Sequence, residues 1–316
     1  MKILNVEPEG YTAEAREILR SLGELEERAC DRDALLAAVG DAQVLIVRLA
    51  HRIDEAVFAR AKSLRVIVSA TTGLNHIDLD AAERYGVTVL CLRGQRVFLD
   101  SVTATAEHTW GLLIALVRHL LPAAASVAQG EWDRDRFRGT QLSRKTLGIV
   151  GFGRLGRIVA DYARAFRMQV VFHDPYVEAA DADVEKLGLD DLLARSDVVS
   201  LHVAYSNETR GLIGVREFER MKPSAVLINT ARGEIVDEAA LLNALESRQI
   251  AGAAIDVLDN ETSLTALASH PLIRYAGESD RLIVTPHVGG ATLDSMKDAE
   301  VFMAQMLAHY VRGEVS

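Results

Sequence analysis

The stretch KTLGIVGFGRLGRIVADYARAF, residues 145–166, decides the fold of this chain. It begins with a short apolar run typical of a buried strand, and it ends with the apolar spacing of an amphipathic helix. Between them, Gly151, Gly153 and Gly156 form a GxGxxG turn. A strand, this turn and a helix, in that order, are the context that a dinucleotide-binding βαβ unit requires.

Each glycine of such a turn has its own task. The first allows the tight turn, the second lets a pyrophosphate approach the backbone, and the third lets helix and strand pack closely. The phosphates would lie at the N-terminus of the helix, where the amides of Arg154 and Leu155 point at them. Glycine-rich turns also serve packing or bind S-adenosylmethionine, so the turn alone does not decide the ligand.

Asp174 ends the next apolar run, QVVFHD, about 18 residues after Gly156. This is near the spacing expected for a carboxylate that binds the ribose hydroxyls. The following segment, PYVEAADADVE, is acidic and has no Lys or Arg, so it would repel the 2′-phosphate of NADP. We therefore predict NAD as the cofactor. The alternative is that Asp174 only caps the turn before Pro175.

The same alternation of β-branched runs and amphipathic helices continues on both sides of this unit. We predict an α/β fold with two doubly wound parallel-sheet domains. A Rossmann NAD-binding domain would span residues 99–287, and a smaller flavodoxin-like substrate-binding domain would combine residues 1–98 and 288–316. A segment from about Leu99 to Val127 should be helical with a break at Pro122. The last helix, from about Thr292 to Val311, should pack back on the first domain.

The amino-acid composition and net charge indicate which kinds of molecule the protein binds. The 316 residues include 35 basic and 45 acidic ones, a net charge of −10 without any Lys/Arg block, which argues against nucleic acid or an anionic membrane. A small metabolite is the better expectation. Neither a signal peptide nor a membrane-spanning run is visible, so we expect a cytoplasmic protein. Cys30 and Cys91 lie outside any metal-ligand pattern, so no metal site is predicted.

Three further segments end strands on one side of the second sheet, and they contain Arg232, Glu261 and His287. A guanidinium suits a carboxylate and a polarised carbonyl, an imidazole can exchange a proton, and a carboxylate can hold that imidazole. Together they predict acid/base chemistry on a 2-oxo or 2-hydroxy acid. Taken singly, each has a structural alternative: a surface ion pair, a loop carboxylate, and a capping or core histidine.

With these residues the chain resembles the D-isomer-specific 2-hydroxyacid dehydrogenase family, most of all its D-3-phosphoglycerate dehydrogenase branch. The resemblance implies an oxidoreductase that transfers a hydride between NAD and C2 of a small 2-hydroxy or 2-oxo acid. It implies that Arg232 binds substrate, that His287 gives and takes the proton, and that Glu261 pairs with His287. The matching segments, in the family's order, are VRLAHRID, TTGLNHIDLDAA, TATAEHTWGLLIAL, KTLGIVGFGRLG, MKPSAVLINTARGEIVDEAALLNAL, AAIDV and TPHVGGAT.

The resemblance extends to further contacts. Thr72 and Gly73 would hold the substrate carboxylate with backbone amides, and Asp256 would meet the nicotinamide carboxamide. Arg48 matches an arginine that faces the distal phosphate in the phosphoglycerate branch, although that branch often has a second arginine where this chain has Ser69. The predicted cofactor-binding residues are Gly151, Gly153, Arg154, Leu155, Gly156, Asp174, His202, Thr209, Thr230, Asp256, Gly289 and Thr105.

The sequence leaves the substrate, the functional class and the oligomeric state open. 3-Phosphoglycerate is the first candidate, and a glyoxylate/hydroxypyruvate or D-lactate type reductase is the second. A different class, an NAD-sensing corepressor-like binding protein, shares the family fold. We expect a homodimer with WGLLIALVRHLL at the interface, although such a stripe more often faces the protein's own core. The TTGLNHID segment places His76 near the cleft, where a role in the site and a structural role are both open.

Some positions depart from the family pattern. The family often has Glu-Pro where this chain has Glu261-Thr262, and His-Val-Pro where it has His202-Val203-Ala204. Both changes affect loop stiffness more than chemistry. The loop of residues 259–280 is also longer than usual. The chain ends soon after its last helix, so we expect no C-terminal regulatory domain like that of longer phosphoglycerate dehydrogenases.

Overall fold

The computed structural model describes residues 1–178, 184–261 and 267–314. The chain forms two compact units, the first made of residues 1–102 and 292–316 and the second of residues 103–291. The boundaries predicted from the sequence, after residues 98 and 287, lie a few residues before these. Each unit contains one parallel sheet. The predicted fold class, α/β with two parallel-sheet domains, is therefore confirmed.

The first unit is built on five parallel strands in the order β2-β1-β3-β4-β5. This is the strand order of flavodoxin-like folds. The strands are β1 (Lys2–Asn5), β2 (Glu24–Glu27), β3 (Val44–Val47), β4 (Val66–Ser69) and β5 (Thr88–Cys91). The helices are α1 (Ala13–Leu22), α2 (Arg32–Ala38), α3 (Glu55–Arg60), α4 (Leu79–Arg84), α5 (Arg96–Leu99) and α13 (Leu293–Val311).

Apolar side chains cover both faces of this sheet, since alternate residues of a strand point to opposite sides. On β4, Val66 and Val68 pack with residues of α1 and α13, whereas Ile67 packs with residues of α2, α3 and α4. Helix α13 contacts α1 directly, and the Thr292 hydroxyl caps it by accepting a hydrogen bond from the Ser295 amide. The last helix of the chain therefore completes the core of the first unit, as its sequence led us to expect.

The second unit has seven parallel strands in the order β12-β11-β10-β9-β6-β7-β8. The order reverses between β6 and β9, which is the switch point where open α/β sheets bind ligands. The strands are β6 (Thr146–Val150), β7 (Gln169–His173), β8 (Glu185–Lys186), β9 (Val198–Leu201), β10 (Val226–Asn229), β11 (Gly252–Ile255) and β12 (Leu282–Val284). The helices are α6 (Ala104–Val117), α7 (Leu120–Ala128), α8 (Arg154–Ala165), α9 (Leu189–Arg195), α10 (Val215–Arg220), α11 (Glu238–Glu246) and α12 (Pro271–Glu278).

The break in the long apolar segment lies earlier than predicted. His119, with a φ of 50°, separates α6 from α7. Pro122 lies in the first turn of α7, where its missing N–H costs no helical hydrogen bond. Among the described residues no single helix is long and apolar enough to cross a membrane, although the pair Arg96–Val117 and Leu120–Ala128, bent by 63°, has sufficient length and apolar character.

Candidate active site

The predicted cofactor-binding and catalytic residues all lie in the second unit. Except for Thr105, on α6, they follow the carboxyl ends of its parallel strands, in loops or at the start of α8. Because these strands are parallel, their carboxyl ends share one edge of the sheet. The predicted substrate-binding residues Arg48, Thr72 and Gly73 lie in the first unit, after β3 and β4.

The glycine turn shows why three of its positions lack a Cβ atom. A Cβ on Gly151, which has a φ of +93°, would lie 2.7 Å from the His202 carbonyl, because the ends of β6 and β9 meet there. A Cβ on Gly156 would lie 2.3 Å from the Gly151 oxygen. A Cβ on Gly153 would meet nothing within 4 Å. The open space at Gly153, at the N-terminus of α8, fits a pyrophosphate.

Asp174 follows β7, and its carboxylate binds the backbone of the glycine turn. One carboxylate oxygen accepts a hydrogen bond from the Phe152 amide at 2.8 Å, and the other accepts one from the Tyr176 amide at 2.9 Å. A carboxylate offers about four acceptor sites, so capacity remains for ribose hydroxyls. The predicted ribose role and the turn-capping alternative are compatible. Residues 179–183 of the acidic segment lie outside the described residues.

The next loops place three further predicted residues. His202, after β9, contacts the Ser200 hydroxyl through Nε2 at 2.8 Å, and burial lowers its pKa to about 4, so the imidazole is neutral at physiological pH. The Thr230 hydroxyl, after β10, contacts that of Thr109 at 2.7 Å. Thr209 donates a hydrogen bond to a carbonyl within its own loop.

The structure brings His287 and Glu261 into direct contact. His287 Nδ1 forms a hydrogen bond with a Glu261 carboxylate oxygen, and the two side chains keep 24% and 31% of their surfaces exposed. His287 has a φ of 53°, a left-handed conformation that is uncommon outside glycine, and Asn260 beside Glu261 has the same value. The His287 amide donates to the Asp256 carbonyl, which holds this backbone in place.

Arg232 lies in a loop that is clamped from two sides. The buried Asn229 side chain accepts a hydrogen bond from the Ala231 amide and donates one to the Arg232 carbonyl. A Cβ on Gly233 would lie 2.0 Å from the Leu258 carbonyl carbon, so this loop runs directly against the one that leads to Glu261. The loops of Arg232 and Glu261 are therefore packed on each other.

Asp256 is 1% exposed, and its carboxylate holds the loop that carries His287. One oxygen accepts hydrogen bonds from the Thr285 hydroxyl at 2.5 Å and the Val288 amide at 2.9 Å, and the other accepts one from the Gly289 amide at 2.7 Å. His108 Nε2 lies 3.2 Å from the first oxygen. The nicotinamide contact implied for Asp256 stays a prediction, and the carboxylate has this structural task as well.

Two residues of this network were not predicted from the sequence. His108 also contacts the Thr285 hydroxyl at 3.1 Å, and Glu238 accepts a hydrogen bond from the Asp259 amide at 2.9 Å. A signal existed for His108, because it lies three residues after Thr105 and thus on the same face of α6. Nothing in the sequence points Glu238 toward the Glu261 loop.

The Arg48 guanidinium donates hydrogen bonds to acceptors within the first unit. Its Nη2 donates to the backbone carbonyls of Glu7 at 2.8 Å and Glu9 at 2.7 Å. Its Nη1 lies 3.6 Å from the carboxylate of Glu300, which is buried on α13. The guanidinium thus ties the loop after β1 to α13, which is a structural role beside the predicted phosphate contact.

Comparison with known proteins identifies the family. Residues 110–289 match the family model described as D-isomer specific 2-hydroxyacid dehydrogenase, NAD binding domain. D-3-phosphoglycerate dehydrogenase from Mycobacterium tuberculosis is 38% identical over 287 residues, which are 90% of this chain and 52% of that protein. The chain belongs to the D-isomer-specific 2-hydroxyacid dehydrogenase family.

Members of the family that are named for different activities are similar to this chain. Hydroxypyruvate reductase from Thermotoga maritima is 32% identical over 93% of this chain and 94% of that protein. The structure of D-lactate dehydrogenase from Aquifex aeolicus, complexed with NAD and lactic acid, has a TM-score of 0.87 at 28% identity and covers 99% of this chain and 97% of its own.

Two conclusions follow from these matches. The family predicted from the sequence is confirmed, and so is NAD as the cofactor, because the second unit matches the family's NAD-binding domain. The chain spans about half the length of the curated phosphoglycerate dehydrogenases that it matches, such as 52% of the Mycobacterium tuberculosis protein. The activity, the substrate and the assembly are therefore matters for proposal.

Proposed function

We propose that this protein is an NAD-dependent 2-hydroxyacid dehydrogenase in which His287 and Glu261 form the acid/base pair and Arg232 binds the substrate. The observation that carries the proposal is the direct hydrogen bond between His287 Nδ1 and Glu261. An imidazole held at Nδ1 by a carboxylate has its second nitrogen, Nε2, left for proton exchange. The Arg232 loop packs against the Glu261 loop through Gly233.

In the reduction direction, His287 begins protonated and gives its Nε2 proton to the oxygen that develops negative charge at C2. Glu261 keeps the ring oriented and stabilises the imidazolium before that transfer. In oxidation the neutral His287 takes the same proton back. Arg232, always cationic, would bind the substrate carboxylate and polarise the C2 carbonyl. NAD supplies or accepts the hydride at C2 when it is bound.

The residues that would hold NAD fit that role. The amides of Arg154 and Leu155 begin α8 beside the open space at Gly153, and Asp174 has acceptor capacity for the ribose. Thr105 and Gly289 lie close together, since a Cβ on Gly289 would be 3.4 Å from the Thr105 methyl group. These contacts stay proposals, together with those of His202, Thr209 and Thr230.

For the substrate we propose two candidates. 3-Phosphoglycerate is supported by the names of several relatives that are 35–38% identical to this chain. Hydroxypyruvate or glyoxylate is supported by a specific observation, because Arg48 donates to the carbonyls of Glu7 and Glu9 and lies next to Glu300. A guanidinium with these partners has less capacity for a distal phosphate.

Steady-state kinetics separates these candidates. Wild-type protein is assayed for NADH oxidation with 3-phosphohydroxypyruvate, hydroxypyruvate, glyoxylate and pyruvate, and Arg48→Ala is compared with Arg84→Ala, which removes an exposed arginine paired with Glu55. If Arg48 binds phosphate, Arg48→Ala lowers kcat/KM at least roughly tenfold for the phosphorylated substrate alone. Equal effects on all substrates favour the second candidate. No turnover of any 2-oxo acid rejects the dehydrogenase and favours the corepressor-like class.

We also propose a homodimer. Of the predicted interface stripe, Leu112, Leu113 and Leu116 are buried within the second unit, whereas Leu120 and Leu121 at its end are exposed. Exposed apolar residues that cluster on one helix are typical of an interface. Light scattering of Leu121→Glu against wild type tests this, with Leu79→Glu as a control from the first unit; an unchanged mass rejects α7 as the interface. The cytoplasmic location stays a prediction.

A further inference from the structure

A chain of hydrogen bonds runs from the buried side chain of His76 to the turn after β4. His76 Nε2 lies 3.3 Å from the Ser69 hydroxyl, which lies 2.8 Å from the Thr71 hydroxyl, and Thr71 donates to the Gly73 carbonyl at 2.9 Å. Ser69 is fully buried and His76 is 5% exposed. Buried polar groups need hydrogen-bond partners, so Ser69 and His76 depend on this chain, and the half-buried Thr71 links them to the turn.

The direction of the protons in this chain is fixed by its last member. A carbonyl can only accept, so the single Thr71 hydroxyl proton points at Gly73. Thr71 must therefore accept from Ser69, and Ser69 must accept from the Nε2–H of His76. We call these three side chains, Ser69, Thr71 and His76, the relay. It delivers one oriented hydrogen bond to the backbone of the turn.

The backbone of the turn is held through its carbonyls. The Thr71 carbonyl accepts from the Leu92 amide at 3.0 Å, that of Thr72 accepts from Arg93 Nε at 3.4 Å, and that of Gly73 accepts from the relay. Because a trans peptide is planar, fixing each carbonyl also fixes the N–H of the following residue on the opposite side. In the described part of the chain, the amides of Thr72 and Gly73 have no acceptor.

The family resemblance implies that the amides of this turn hold the substrate carboxylate. We propose that the relay fixes the turn of residues 71–74 in the conformation that this contact needs, which makes Ser69, Thr71 and His76 positioning residues. Successive backbone amides with fixed directions and no internal acceptor are suited to an anion. The inference rests on the proposed function, because it assigns the anion as the carboxylate of a 2-oxo acid. The phosphoglycerate branch often has an arginine at the position of Ser69, whereas the uncharged serine of this chain fixes the turn without adding a charge beside it.

The decisive comparison is Thr71→Val against Thr71→Ser. Valine has the shape of threonine but removes the hydroxyl, whereas serine keeps it. We expect Thr71→Val to raise KM for hydroxypyruvate, and Ki for the planar carboxylate oxamate, roughly two- to tenfold, the size of one neutral hydrogen bond. The KM for NADH should not change, and Thr71→Ser should restore wild-type values. Ser69→Ala should resemble Thr71→Val.

Thr88→Val is the matched control, because it removes a hydroxyl that contacts the Tyr310 hydroxyl at 3.0 Å in the same unit. It should leave all kinetic constants at wild-type values. The relay as a carboxylate-positioning device is overturned if Thr71→Val leaves KM and Ki unchanged, if Thr71→Ser fails to rescue, or if KM for NADH rises equally.

A second measurement separates this proposal from the proposed function. Wild-type protein that reduces no 2-oxo acid rejects the dehydrogenase. The relay is then judged by hydrogen exchange of the peptide that spans residues 70–77. Faster exchange in Thr71→Val than in wild type and Thr88→Val supports the relay's hold on the turn, and equal exchange in all three proteins overturns it.

Discussion

Replacing Asp256 with asparagine tests how the loop of His287 is held. The buried carboxylate accepts hydrogen bonds from Thr285, Val288 and Gly289, whereas an amide has only one acceptor oxygen. The Asp256→Asn side chain would therefore turn its NH₂ group toward one of these donors. Losing a charge-assisted hydrogen bond and leaving a buried N–H unpaired costs about 2–4 kcal/mol. If the whole cost destabilises the conformation in which the loop holds His287 in place, kcat decreases by up to roughly 30- to 700-fold.

The assay is NADH oxidation under saturating and limiting conditions, with far-UV circular dichroism to show that the variant is folded. Asp237→Asn is the matched control, because the Asp237 carboxylate caps α11 through the Ala240 amide and asparagine caps almost as well. We expect Asp256→Asn to lower kcat and the control to be unaffected. Unchanged kcat would refute loop anchoring, and a rise in KM for NADH alone would instead assign Asp256 to the cofactor.

Three further outcomes are expected. Asp174→Ser should weaken NADH binding and reduce the exclusion of NADPH, measured as the ratio of kcat/KM values; an unchanged ratio removes its ribose role. Gly156→Ala should cost about 1–3 kcal/mol in urea unfolding, because its Cβ would meet the Gly151 oxygen, whereas Gly153→Ala should cost little stability and weaken NADH binding. Burial lowers the pKa of His202 from about 6.5 in the unfolded chain to about 4 in the folded protein, so the free energy of unfolding decreases as the pH falls through this window. Between pH 7.5 and pH 5 the wild type should lose stability for this reason, and His202→Gln should make that decrease smaller by at most about 2 kcal/mol.

The parallel strands and the glycine turn could be predicted because they depend on local pattern, whereas the strand order was not predicted. Apolar runs of four or five residues, each followed by an amphipathic helix, predict parallel strands, and Thr292 and Asp237 mark helix starts by capping chemistry. The predicted helix break at Pro122 was wrong, because proline is tolerated in the first turn of a helix and Pro122 lies in the first turn of α7. The left-handed conformation of His119 that ends α6 has no signature in the sequence.

The predicted catalytic residues followed from strand ends and most other site residues from the family resemblance, whereas the residues that support them could not be predicted. Nothing in the order of residues shows that Gly233 runs against Leu258, or that the Asp256 carboxylate is occupied by amides of the His287 loop. These contacts join segments that are distant in sequence, so only the folded chain reveals them. The same holds for Arg48, whose predicted phosphate contact competes with acceptors that the structure places around it.

The most direct test of the account is the pre-steady-state and steady-state turnover of His287→Gln. Glutamine can accept or donate a hydrogen bond near Glu261 but cannot exchange a proton near neutral pH. Turnover with the best 2-oxo acid should decrease roughly 100- to 10,000-fold, the size of a general acid/base contribution, while the NADH dissociation constant stays at its wild-type value. Turnover within a factor of a few of wild type would contradict the assignment of His287 as the proton donor.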